Sequence, residues 1–264
     1  NSNIDTFKKI NYFEIENYYT HNKDKAVKFD NELSIEAPLH VFLKSKYVFH
    51  YHSISSIIIS AINESTNLDN LLINNKIIPI KYIRPGIDLA REISLEKQKH
   101  NLDAYFLYNH GIVVEGNNKS KIMKRVRDIE SFFNKFIDYK KLIKLNKTIQ
   151  IFPNFKDKVK NPFPEINFDL YKGKYLFPDH SVFFPDFLTS KNTQKNNTAI
   201  HYDNDYIYLN KKLTNVESIY FKTLLLIYGL IGDKEIVNYI NTNDGENLRK
   251  SDDELIRRRV NRWK

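Results

Sequence analysis

Cysteine is absent from this chain of 264 residues. Disulfide bonds and thiolate metal sites are therefore excluded, and any bound metal must be held by histidine, carboxylate and water. No apolar run approaches the roughly 20 residues that a helix needs to cross a bilayer. No signal peptide opens the printed sequence. These absences predict a cytoplasmic protein with no membrane partner.

The charge is positive but dispersed. The chain has 41 basic and 32 acidic residues, a net charge of +9 and a pI near 9.3. Its lysines are scattered, and no compact motif combines Arg or Lys with aromatic residues. We therefore expect no nucleic-acid partner. The alternative, binding of long polyanions through the net charge, would be steeply salt-dependent.

The pattern between residues 31 and 145 alternates strands with helices, which is typical of a layered α/β domain. The predicted helices are Ser34–Leu43, Ile54–Asn63, Ile87–Lys99 and Lys119–Ile143. The predicted strands are Tyr47–His52, Lys76–Tyr82, Ala104–Tyr108 and Ile112–Glu115. Ser34 is the expected N-cap of the first helix, with Glu36 in its first turn, and Ser53 is the expected N-cap of the second.

The composition changes on either side of this core. Residues 1–30 form a polar N-terminal segment, and 146–264 are expected to form an α+β extension packed on the core. In the extension the pattern predicts a strand over Lys174–Phe184 and a strand or hairpin half over His201–Leu209. Two helices are predicted to follow, over Val216–Leu230 and Asp233–Ile240.

Three of the eight histidines stand out by their spacing. His50 and His52 lie in one predicted strand, where side chains two residues apart point to the same face. His110 lies in Asn109-His110-Gly111, between two strand segments. Catalytic zinc typically takes three protein ligands and keeps one position open. The spacing therefore suggests a metal site, although three unrelated histidines would give the same pattern.

Three motifs in their order along the chain resemble the class II aldolase/adducin head family. They are Ser-Ile-Glu at 34–36, His-Tyr-His-Ser at 50–53 and Asn-His-Gly at 109–111. Arg-Pro-Gly at 84–86 and Leu-Phe-Pro-Asp-His at 176–180 further resemble the longer branch related to rhamnulose-1-phosphate aldolases. The resemblance implies a three-layer α/β/α domain with a central, largely antiparallel sheet. It also implies a homotetramer.

The same resemblance assigns roles to residues. His50, His52 and His110 would bind zinc or another divalent metal, and Glu36 would be the acid/base group. A cation held by neutral histidines stabilises an enediolate oxygen as a Lewis acid. A carboxylate near a helix start is also favoured by the helix dipole alone, which gives Glu36 a structural alternative.

The family implies a metal-dependent aldolase-type lyase acting on a small sugar or hydroxyketone, expected to be phosphorylated. Epimerases and dehydratases of the same family use related anion chemistry and stay open as alternatives. So does a non-catalytic interaction domain, because adducin heads keep the fold and lack the metal site.

Further candidates surround this set. Ser34 is expected to contact a substrate phosphate at a helix N-terminus. Asn109 would shape the turn that presents His110. His40 is expected either to support the metal ligands from behind or to be a buried histidine with its hydrogen bonds satisfied. Asp179 and His180 are expected either to cover the site as a carboxylate–imidazole pair or to form a local hydrogen-bonded pair.

The chain departs from the family pattern in its phosphate-binding residues. It carries no Gly-Asn-x-Ser turn before residue 30, and Ile35 stands where related aldolases have a second serine. Two readings follow for the missing turn: the printed chain is a fragment, or the protein lacks this phosphate-binding element.

Overall fold

Four strands form a mixed sheet in the first half of the chain. They are β1 (Tyr47–Tyr51), β2 (Ile78–Ile80), β3 (Ala104–Leu107) and β4 (Gly111–Gly116). Their order is β1, β4, β3, β2, with β4 antiparallel to both β1 and β3, and β2 parallel to β3. The structure is a computed structural model that describes residues 35–63, 65–150, 158–164, 166–184, 189–190, 200–203, 205–209, 213–232 and 234–251.

Helices cover both faces of this sheet, because its side chains alternate between two apolar clusters. The helices are α1 (Ala37–Leu43), α2 (Ile54–Ile62), α3 (Ser65–Asn74), α4 (Ile87–His100) and α5 (Lys119–Phe133). Tyr105 and Val113 pack with α1 and α4 on one face. Phe106 and Val114 pack with α3 and α5 on the other. The predicted α/β class with a three-layer core and a largely antiparallel sheet is confirmed.

The second half of the chain adds helices and a second four-stranded sheet. The helices are α6 (Tyr139–Gln150), α7 (Pro178–Phe183), α8 (Asn215–Ile231) and α9 (Thr242–Lys250). The strands are β5 (Lys158–Lys160), β6 (Thr189–Ser190), β7 (Ile200–Tyr202) and β8 (Tyr206–Leu209), in the order β5, β8, β7, β6. The segment His201–Leu209, predicted as one strand or a hairpin half, is instead divided between β7 and β8, which pair antiparallel.

One apolar cluster joins the two halves. Ile57 and Ile58 of α2 belong to the same buried cluster as Phe221, Leu224 and Ile227 of α8. The backbone of 237–238 also donates to the carbonyl oxygen of Ala61 at the end of α2. The division of the chain at residues 30 and 145 stays a prediction, and segment 1–30 lies outside the described residues.

The predicted helix Lys119–Ile143 is wrong as a single element. A 3-10 turn over Asn134–Phe136 follows α5, and Ile137 is extended with φ −116° and ψ 140°. The Asp138 side chain then accepts a hydrogen bond from Lys141 N at 2.9 Å and begins α6. An N-cap residue favours a new helix start over continuation, because its side chain satisfies a free backbone N–H.

Two predictions in the C-terminal half are also wrong. The strand predicted over Lys174–Phe184 contains α7, because Pro178 in the first turn favours a helix start and cannot donate to a strand ladder. The helix predicted over Asp233–Ile240 is irregular at residues 234–239, and Ile240 forms an isolated bridge with Tyr175. In the described part of the chain, no helix is both long and apolar enough to cross a membrane.

Candidate metal centre

The ends of β1 and β4 bring the three histidines together. His50 lies in β1 opposite Val113 of β4, and His52 follows β1 directly. His110 lies in the turn between β3 and β4, immediately before Gly111. Because β1 and β4 are antiparallel neighbours, the end of one strand lies beside the start of the other. The three imidazole rings form a nearly equilateral triangle with centroid distances of 4.8 to 5.0 Å.

The turn that presents His110 depends on its two neighbours in different ways. Asn109 takes the left-handed conformation with φ 52°, which Asn tolerates better than most residues. Gly111 is not among the glycines with positive φ, so Asn109 is the left-handed residue of this turn. A Cβ atom at Gly111 would lie 2.5 Å from the carbonyl oxygen of Tyr51 and 3.1 Å from Cδ2 of His52. Glycine is required here by the close approach of β1.

Glu36 reaches the histidines from the start of α1. It occupies the N-cap position with φ −96° and ψ −1°, and its side chain makes no capping hydrogen bond. The expected helix start at Ser34 is wrong, because α1 begins at Ala37. Pro38 explains the difference: its ring would clash with the carbonyl group four residues earlier if the helix continued upstream. Ser34 lies outside the described residues, and the helix-dipole alternative for Glu36 stays open beside its contacts with the histidines.

Four donor atoms converge on one point. Oε1 of Glu36 lies 3.0 Å from Nε2 of His50, 3.2 Å from Nε2 of His110 and 4.0 Å from Nε2 of His52. The Nε2 atoms of His50 and His52 are 3.2 Å apart. One ligand atom from each of these four residues lies within 4.8 Å of all the others.

Hydrogen bonds behind two of the histidines fix which nitrogen faces the cluster. Nδ1 of His50 donates to the carbonyl oxygen of Ile112 at 2.9 Å. Nδ1 of His52 donates to Oδ2 of Asp179 at 3.0 Å. When neutral, both rings therefore carry a lone pair on Nε2, the atom directed into the cluster. Nδ1 of His110 has no hydrogen-bond partner among the described residues.

This arrangement fits a divalent metal. Converging lone pairs and a carboxylate oxygen repel one another unless a cation or a proton lies between them. Two nitrogens bound to a tetrahedral zinc at about 2.0–2.1 Å would be about 3.3 Å apart, close to the 3.2 Å between His50 and His52. Imidazole and carboxylate also suit iron, nickel and cobalt, so the donor set alone does not choose the metal.

Burial sets the electrostatics of the cluster. The His110 side chain is 1% exposed, whereas that of Glu36 is 30% exposed. Burial lowers the pKa of His110 to about 4, with the His50 and His52 charges acting in the same direction and Glu36 opposing them. Burial raises the pKa of Glu36, but its close contacts with the His110 and His50 rings, which stabilise the ionised carboxylate when the rings carry protons on Nε2, outweigh burial and hold that pKa well below its usual value. The cluster thus combines a neutral buried imidazole with an ionised carboxylate.

The remaining candidate residues differ in burial and in whether they contact the histidine cluster. His40 is exposed, so the expectation of a buried histidine is wrong. Asp179 is 1% exposed and contacts His52 across 127 residues of sequence. His180 is buried and accepts a hydrogen bond from Leu176 N at 3.1 Å. Asn109 donates to the carbonyl oxygens of Leu176 and Asn238.

Sequence reasoning missed two residues that hold the His110 turn in place. Oγ of Ser60 accepts from Asn109 N at 2.8 Å. Asn238 donates its side-chain amide to the carbonyl oxygens of Ser60 and Asn63. Neither residue belongs to a recognisable motif, and 178 residues separate them in sequence. No signal in the sequence would have paired them.

The comparison with protein families matches the segment that contains this cluster. Residues 15–135 match the Class II Aldolase and Adducin N-terminal domain. The matched segment includes Glu36 and all three histidines, and it ends before Asp179. No curated protein matches the chain.

Among solved structures, the chain is similar to the N-terminal Class II Aldolase domain of a conserved protein from Thermoplasma acidophilum. The sequences are 24% identical, and the TM-score is 0.38. The match covers 50% of this chain and 60% of that chain.

Proposed function

We propose that this chain is a metal-dependent, class II aldolase-type lyase that cleaves or forms a carbon–carbon bond of a small sugar or hydroxyketone. The observation that carries the proposal is the convergence of Glu36, His50, His52 and His110 on one point. The family match over residues 15–135 supports it, because that segment holds all four residues.

In this proposal His50, His52 and His110 hold the metal, with zinc as the first expectation. When bound, the metal would act as a Lewis acid that stabilises negative charge on a substrate oxygen. The hydrogen bonds that Nδ1 of His50 and Nδ1 of His52 donate direct the Nε2 atom of each ring into the site. The buried His110 has a pKa near 4, which keeps it neutral and able to bind a metal at neutral pH.

Glu36 is the proposed acid/base residue. Its partial exposure leaves it accessible to a substrate, and its lowered pKa keeps it ionised and able to accept a proton at neutral pH. A positioned group of this kind contributes typically 10²–10⁴-fold to the rate. We assign Glu36 the transfer of a proton to and from the substrate carbon or hydroxyl group.

The substrate is proposed to be phosphorylated, with Ser34 as a phosphate contact. The likeness of residues 84–86 and 176–180 to the branch related to rhamnulose-1-phosphate aldolases supports a ketose phosphate. We further propose a cytoplasmic homotetramer in carbohydrate metabolism, without nucleic-acid or membrane partners.

The test combines metal content with lyase activity. Purified protein should contain, or take up, about one equivalent of divalent metal per chain, and should release a carbonyl product from one of a panel of ketose phosphates. Glu36→Gln should lower kcat by 10²–10⁴-fold. Asp128→Asn is the control, because this exposed carboxylate pairs with Lys124 on α5 and should leave kcat unchanged.

Two results would contradict the proposal. One is uptake of less than about a tenth of an equivalent of metal after addition of zinc, cobalt, nickel or iron. The other is activity of Glu36→Gln within about tenfold of the wild-type value, which is below the usual effect of losing an acid/base group.

A further inference from the structure

A buried carboxylate outside the family-matched segment lies directly behind one histidine of the cluster. Asp179 stands in the first turn of α7 and is 1% exposed. Its Oδ2 atom accepts a hydrogen bond from Nδ1 of His52 at 3.0 Å. The matched segment ends at residue 135, so this contact connects the C-terminal half of the chain to the cluster.

The contact has the geometry of a carboxylate that orients a metal-binding imidazole. An Asp behind a histidine fixes the ring tautomer and increases the basicity of the opposite nitrogen. In His52 that opposite nitrogen is Nε2, 3.2 Å from Nε2 of His50. The His52 side chain is 25% exposed, more than that of His50 or His110, so it depends most on an external contact for its orientation.

The segment that carries Asp179 is itself held in place. The carbonyl oxygen of Leu176 accepts from Asn109, and Leu176 N donates to His180. The Ser181 hydroxyl donates to the carbonyl oxygen of Pro178, and the Phe177 ring meets His52 edge-on at 6.3 Å between centroids. The same short segment therefore contacts the residue before His110 and the ring of His52.

We propose that Asp179 is a positioning residue that orients His52 and thereby sets the affinity of the cluster for its metal. Asp179 acts through His52 and touches neither substrate nor metal. This inference rests on the proposed function in one respect, namely that the cluster binds a divalent metal. Its consequence is that the C-terminal half of the chain is needed for tight metal binding, although none of its described residues belongs to the four-residue cluster.

The test compares zinc affinity in Asp179→Asn and in a matched control. The control is Glu115→Gln, which alters a carboxylate that is 3% exposed but hydrogen-bonded to Ser45, Lys97 and Tyr105 rather than to the cluster. Competition with a chromophoric chelator should show zinc binding weakened by about 10–100-fold in Asp179→Asn. Glu115→Gln should bind zinc within threefold of the wild type, even if its melting temperature falls.

Two further readouts separate orientation from general destabilisation. The visible absorption bands of the Co(II)-loaded protein should change in Asp179→Asn and stay unchanged in Glu115→Gln. In metal-free wild-type protein at pH 8, long-range proton–nitrogen NMR should show neutral His52 protonated on Nδ1. The NMR measurement needs no variant, so it tests the inference even if Asp179→Asn fails to fold.

The outcomes distinguish this inference from the proposed function. Equal zinc affinity in the wild type and Asp179→Asn, or neutral His52 protonated on Nε2, overturns the role of Asp179 and leaves the proposed function standing. Failure of the wild type to take up any of zinc, cobalt, nickel and iron contradicts the proposed function as well.

Discussion

At the scale of single residues, the cluster depends on positions where one added or removed atom matters. Gly111 allows β1 and β4 to approach closely beside His52, and Asn109 supplies the left-handed residue of the turn. The histidine spacing was readable from the sequence, because alternation in a strand places His50 and His52 on one face. The exposure of His40 and the contact of Asp179 with His52 were not readable, because they depend on packing between distant segments.

Gly111→Ala should disturb both stability and metal binding. The new methyl group would meet Tyr51 O at 2.5 Å, and relief of such overpacking typically costs about 1–3 kcal/mol. Because His52 lies next to the same methyl group, zinc affinity should also fall. Ile129→Ala serves as the control, since it should cost about 2–5 kcal/mol in the core between sheet and α5 without moving a ligand. Equal zinc affinity in Gly111→Ala and wild type would contradict the prediction.

His180 should make stability depend on pH. Burial lowers its pKa to about 3, against about 6.5 in an unfolded chain. Below pH 6.5 the unfolded state binds a proton that the folded state does not, so the stability contributed by neutral His180 is lost as pH falls from 6.5 towards 3. At pH 5 the loss should be about 2 kcal/mol.

The measurement is urea unfolding with chelator present, for wild type and His180→Gln at pH 8 and pH 5. Gln keeps an acceptor for Leu176 N. The stability difference between the two proteins should shrink by about 2 kcal/mol on acidification. An unchanged difference would show that His180 is not the titrating group.

At the scale of helices and strands, prediction succeeded where one local signal decided the element. Ser53 caps α2 through Ser56 N, as expected. Prediction failed where two signals in the sequence favoured different elements. The spacing of apolar residues continues past Phe133, but Asp138 begins a new helix there. Alternating aromatic and aliphatic residues around Leu176 suggest a strand, but Pro178 begins α7.

Helix α8 offers a case where helix propensity and packing predict opposite signs. In a helix interior, Gly→Ala normally stabilises by roughly 0.5–1 kcal/mol. At Gly229 an added Cβ would lie 2.5 Å from two atoms of the Phe163 ring and 3.0 Å from Leu145. We expect the packing clash to outweigh the helix propensity. Gly229→Ala should lower the free energy of unfolding, measured by chemical denaturation, by about 1–3 kcal/mol.

A double-mutant cycle identifies the cause of this loss. Phe163→Leu removes the ring, so Gly229→Ala should cost less in that background by at least about 0.5 kcal/mol. Additive effects of the two changes would show that the Phe163 ring is not the obstacle.

At the scale of the whole molecule, the cluster joins segments that are far apart in sequence. Its donors come from the start of α1, from β1 and from the β3–β4 turn, and Asp179 adds α7 from the C-terminal half. The three layers were predictable from alternating elements. The way α2 and α8 share one apolar cluster was not, because periodicity shows which face of a helix is buried and not what covers it.

Metal should therefore stabilise the folded chain as a whole. A ligand that binds only the folded state contributes about 2.7 kcal/mol at 100 times its Kd. Calorimetry should show a melting temperature that rises with free zinc and falls back with chelator. His50→Ala should abolish this dependence, whereas Ile129→Ala should lower the melting temperature and keep it.

The position of β1 has a consequence for how a metal bound at the proposed site would be released. Among the described strands β1 lies at an edge of the sheet and pairs with β4 alone, and its Tyr47 and Phe49 are exposed. Edge strands have partners on one side only, so we expect β1 to open at lower free energy than β4, which pairs on both sides. Two of the three histidines depend on this strand for their place. Release of a bound ion would then be coupled to local opening of β1. The rate of metal exchange would therefore report on backbone opening at temperatures well below the global unfolding transition.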